Sequence, residues 1–126
     1  MVYRNIKVNP WNIRLAILES FETSIDKAGP EIAINLTDLK SIMDSLFFSL
    51  EDGKVLSGFS TSLINKYVAV RESAARTLKK LIEKTRSHLL LVDKQEIALK
   101  LETSAQKETS SMIAQSLHDL KLNLQK

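Results

Sequence analysis

Cysteine is absent from the 126 residues, and glycine (3) and proline (2) are scarce. Without cysteine there is no disulfide framework, no Cys-ligated zinc, no iron–sulfur cluster and no thiol nucleophile. So few breakers exclude a β-sandwich or barrel, which needs turn residues at short intervals. They also leave no glycine-rich phosphate loop. Aromatics make up only 6% of the chain. No run approaches the roughly 18 apolar residues of a membrane span. The start, MVYRNIKVNPW, holds no apolar stretch of signal-peptide length, which predicts a cytoplasmic chain that, if exported, leaves without a cleavable signal.

What remains is a helical sequence whose five breakers all fall between Pro10 and Gly58. Residues 1–8 have an extended character. Asn9-Pro10 starts a helix and Gly29-Pro30 ends it, with Ile13, Ile17, Leu18, Phe21, Ile25 and Ala28 as its apolar set. Asn35 caps a second helix with Asp38 three residues on. Its stripe is Leu36, Leu39, Ile42, Met43, Leu46, Phe47 and Leu50. The 68 residues after Gly58 contain no breaker. Their apolar line of Phe59, Leu63, Tyr67, Val70, Ala74, Leu78, Leu81, Leu89, Val92 and Leu99 keeps helical spacing. The Ser/Thr-rich Thr103–Ser111 is the expected interruption. A last helix then carries Met112, Ile113, Leu117, Leu120 and Leu124. A breaker-free run of this length implies either a rod-like hairpin or a bundle with a break inside it. The reading is one all-α domain over residues 1–126, an elongated helical hairpin with an extra N-terminal helix and a short C-terminal one. Its helices span about 10–28, 36–52, 59–102 and 111–125, and its principal turn is 53–58. The expected hairpin seam is Leu39, Ile42, Leu46, Leu63, Val70, Leu78 and Leu81.

The net charge of +3 is unevenly spread. Residues 1–53 carry 5 basic and 8 acidic groups, whereas residues 54–100 carry 10 and 4. Acidic and basic segments in one chain predict internal or intersubunit complementarity as readily as a nucleic-acid surface. Arg71, Arg76, Lys79, Lys80, Lys84 and Arg86 form the densest basic stretch. Only Tyr67 is near enough to add base stacking, which weighs against nucleic acid.

No constellation for chemistry is visible. His88 and His118 have no partner at metal-ligand spacing, and the serines occur outside any nucleophile motif. The reading is therefore a non-enzymatic chain with no catalytic residue, cofactor or metal. Two apolar features point to a partner. Phe47 and Phe48 are adjacent and cannot both face one narrow seam. Leu89-Leu90-Leu91-Val92 covers every side of a helix, more than a hairpin buries. Phe48, Tyr67 and Leu89–Val92 are the candidate partner contacts.

Helix, turn, longer helix, with Leu56-Ser57-Gly58 at the turn and Phe59, Leu63, Tyr67 and Val70 after it, resembles the Trp-x-Gly family of small type VII secretion proteins. The opening Ile6-Lys7-Val8-Asn9 is similar to the helical partners of LXG-type toxins. Leu56 stands where the family has Trp, and Tyr67 has Arg71 at +4 where the export mark has an acid. Phe48-x-x-x-Asp52 fits the aromatic form of that mark. The resemblance implies an accessory that binds the helical N-terminal domain of a larger secreted effector, together with a second small helical protein, and presents it for export. A self-assembling coiled-coil scaffold or structural subunit, a homodimer among its forms, and a basic nucleic-acid binder stay open beside it.

Overall fold

The computed structural model describes residues 11–29, 35–51 and 61–125. The chain is all-α, with no strand among the described residues. The helices are α1 (Trp11–Lys27), α2 (Leu36–Ser49), α3 (Thr61–Thr85), α4 (Leu91–Lys107) and α5 (Ser111–Leu124). A 3₁₀ turn, Arg86–His88, lies between α3 and α4. The expected turn at 53–58, its Leu56, Ser57 and Gly58, Asp52, the Asn9-Pro10 helix start and the segment 1–8 lie outside the described residues, as does the Leu63 side chain.

Local chemistry sets several of the ends. Gly29 follows α1 with φ of +87°, a left-handed geometry that glycine adopts without strain. Asn35 Oδ1 accepts the Asp38 N–H at 2.9 Å, and its amide donates to the Asp38 carboxylate at the same distance. The α5 cap is Ser110, whose hydroxyl faces the Ile113 N–H at 3.5 Å.

The long arm expected over 59–102 is not one helix. It divides at 86–90, where no glycine or proline stands. Thr85 turns its hydroxyl back onto the Leu81 carbonyl at 2.7 Å, and Leu89 and Leu90 take extended backbone. Asp93 then accepts the Leu90 N–H at 3.3 Å and closes the start of α4. The gain is burial. Folding back lets Leu89, Ile97, Ala98 and Leu101 enter the core, which a straight arm of about 60 Å leaves in water. The interruption expected at Thr103–Ser111 is correspondingly shorter. α4 runs on to Lys107, with the Thr103 hydroxyl bonded to the Leu99 carbonyl at 3.0 Å.

The result is a bundle in place of a single elongated hairpin. α1, α2 and α5 pack on α3, and α5 packs on α4. Pairs between α1 and α3 rise together (Trp11 with Lys66, Glu22 with Arg76, Asp26 with Lys80), so these helices are parallel. The same holds for α2 and α4, joined by Lys40–Asp93 and Asp44–Lys100. Of the expected seam, Leu39, Ile42, Leu46, Val70, Leu78 and Leu81 are buried. Each contributes about 1.5–3 kcal/mol of burial energy. Four positions of the expected apolar lines face out instead: Ile13, Val92, Leu99 and Met112. Ala28 is exposed as well.

Candidate functional site

The acidic first third and the basic middle meet inside the fold. Glu22 on α1, nearly buried, receives Arg76 Nε at 2.8 Å and Lys80 Nζ at 2.7 Å, and Lys80 also reaches Asp26 at 2.9 Å. Burial pushes the Glu22 carboxyl up. The hydrogen bonds and charges of Lys80 and Arg76 outweigh it and hold the carboxyl below its ordinary range. Glu22, then Asp26, raises Lys80 in turn. Lys84 donates to the Ile25 carbonyl at the end of α1. Arg71 lies in the interior against Glu108. Most of the basic stretch is thus engaged within the chain, and Lys79 stays exposed.

Exposed apolar side chains occur on every helix, with Ile13 on α1, Ile64 on α3 and Met112 and Leu122 on α5; Phe48 on α2 and Leu99 on α4 share one groove. Phe47 and Phe48 divide as adjacent helical residues must. Phe47 packs against the core, and Phe48 is 45% exposed with the Arg14 guanidinium 5.9 Å from its ring centre. Across from them Leu99 stands 64% exposed on α4. These three side chains form the apolar part of a shallow groove of about 470 Å3, with Asp44, Glu51 and Lys100 as its charged part. Lys100 is drawn to Asp44 at 2.9 Å and lies 5.9 Å from the Phe47 ring, which fixes the wall between the helices.

The structure separates the other expected contacts. Leu89 is a core residue, 7% exposed, because the break at 86–90 turns it inward. It is not available to a partner. Leu90, Leu91 and Val92 stand at the end of the bundle, 65–72% exposed, outside the groove. Tyr67 on α3 is half-buried and does not line the groove. Leu99, assigned by its spacing to the core line, is the groove residue that periodicity misplaced. Spacing reports that a face is apolar, not which way it points.

Among the described residues no group of three or more His, Asp or Glu gathers as a metal site, and His118 is exposed. No helix of the described residues is long and apolar enough to cross a membrane. No protein-family model, curated protein or solved structure matches the chain.

Proposed function

We propose that this chain is a non-enzymatic helical adaptor whose α2–α4 groove holds an amphipathic helix of a larger secreted protein, as a type VII secretion accessory does. The observation that carries the reading is the grouping of Phe48 and Leu99 in water on neighbouring helices, over a core that is otherwise well filled. A helix laid along α2 and α4 removes both from solvent through anchors at successive turns. Two or three large apolar anchors of about 1.5–3 kcal/mol each decide such an affinity. The internal pairing of Glu22 with Arg76 and Lys80 favours this reading over a phosphate-binding one, since those cations already have carboxylate partners.

The test is co-expression with the helical N-terminal domain of a large secreted effector from the same source. The adaptor reading expects a stable heteromeric complex by size exclusion with light scattering, lost in Phe48→Asp/Leu99→Asp. A lone chain that forms one large homo-oligomer and ignores that domain supports the scaffold reading instead.

A further inference from the structure

The end of the bundle where α3 passes into α4 carries a second, separate feature. Leu90, Leu91 and Val92 are three consecutive large aliphatic residues, each about two-thirds exposed. Leu90 is the extended residue before α4, and Leu91 and Val92 are in its first turn. Successive residues at the start of a helix point about 100° apart. Their side chains therefore spread over the end of the bundle and do not line one seam. A groove or a partner helix covers a stripe; a spread of this kind fits a fluid apolar layer.

Charge at this end points the same way. Residues 79–94 hold five bases (Lys79, Lys80, Lys84, Arg86, Lys94) and two acids (Glu83, Asp93). Asp93 is buried and matched by Lys40 at 3.3 Å, and Asp38, at the start of α2 on the same end, is bonded to Asn35, which leaves Glu83 as the exposed acid of this stretch. Lys80 is matched by Glu22 and Asp26. Lys84 makes its bond to a neutral carbonyl, that of Ile25, and no carboxylate among the described residues is paired with it. Lys27, exposed at the end of α1, joins the same end of the molecule. An aliphatic tip with a basic collar combines the two attractions that hold a peripheral protein on an anionic bilayer, burial of aliphatic groups among the headgroups and attraction of lysines to lipid charge.

We propose that this end is a membrane-surface contact: Leu90, Leu91 and Val92 enter the headgroup layer of an anionic lipid surface, and Lys84, Lys94 and Lys27 hold the bundle upright on it. The proposal does not depend on the α2–α4 groove. It places the groove along the side of a bundle that stands on the membrane by its end.

The experiment is co-sedimentation of the full chain with vesicles of phosphatidylcholine alone or mixed with phosphatidylserine. The wild type pellets with the mixed vesicles and weakly or not at all with the neutral ones. Its binding falls as salt rises from about 50 to about 500 mM, because the lysine attraction is screened. Leu91→Asp and Leu91→Ser each reduce binding by about tenfold or more, with the helical circular dichroism of the wild type. Lys94→Glu weakens binding to the mixed vesicles alone. Phe48→Asp binds them as the wild type does. Failure of the wild type to bind phosphatidylserine vesicles at low salt overturns the proposal. So does equal binding by Leu91→Asp. Loss of adaptor complex formation in Leu91→Asp, with vesicle binding intact, makes the tip a protein contact and overturns it as well.

Discussion

Arg71 Nε and the Glu108 carboxylate lie 3.2 Å apart with both side chains almost wholly out of water, 37 residues apart in the chain. Arg71 also reaches the Thr109 hydroxyl at 3.4 Å, and Glu108 accepts the Ser110 N–H at 3.0 Å. This pair fastens the α4–α5 turn to α3 and fixes how far down the bundle α4 reaches before it reverses. A charge buried in this way is costly to orphan and cheap to replace as a pair. Arg71→Met or Glu108→Leu alone is expected to cost about 3–5 kcal/mol, and the double variant to recover most of it. Urea denaturation of the three variants measures it.

Glu22 makes stability depend on pH in one direction. Its folded carboxyl lies below the ordinary value of 4.5, so the unfolded chain binds the proton more readily. The stabilisation is complete above the unfolded value and is lost as pH falls through the folded one. Thermal melts from pH 6 downward are therefore expected to show a steeper loss below about pH 4.5 in the wild type than in Glu22→Gln. The variant starts from a lower plateau.

Leu89 and Leu90 are neighbours in sequence with opposite fates, and this tests the break between α3 and α4. Leu89→Ala removes a core side chain and is expected to cost about 2–4 kcal/mol. Leu90→Ala removes an exposed one and is expected to stay within about 0.5 kcal/mol. A continuous helix through 86–90 gives no reason for so sharp a contrast.

Ser73 is wholly buried, and its hydroxyl has no hydrogen-bond partner among the described residues. Its carbonyl is used instead, accepting from the Thr77 hydroxyl at 2.7 Å. Ser73→Ala removes an unpaired polar atom at almost constant volume, so it is expected to raise stability by about 1 kcal/mol. A rise in melting temperature, read from the fluorescence of Trp11, the single tryptophan, checks this.

The legible parts of the fold were those written in local chemistry. Asn35 with Asp38 announced the start of α2, and Gly29 the end of α1. The acidic and basic segments allowed internal complementarity beside an intersubunit or nucleic-acid surface, and the pairing of Glu22 with Arg76 and Lys80 is the internal form. The doublet Phe47-Phe48 announced one inward and one outward ring. The break at 86–90 has no such mark. Thr85, Arg86, Ser87 and His88 are all permitted in a helix, and the turn arises from what α4 gains by folding back. Leu89 inside and Leu99 outside both follow from that one turn, so both were misassigned together. Met112 was misplaced for a simpler reason: Ile113 beside it turns inward, and Met112 faces an open groove along Arg76 and Lys79 of α3.

The most direct test of the adaptor account is the methyl NMR spectrum of the chain titrated with the helical domain of the secreted protein it is proposed to bind. Leu99 and Leu101 lie two residues apart on α4, one in the groove and one wholly buried. The account predicts that Leu99 methyl signals shift or broaden on titration while those of Leu101 hold their positions. Shifts confined to residues outside the groove, such as those around Met112 on α5, or no shift at Leu99 in a complex that does form, contradict it.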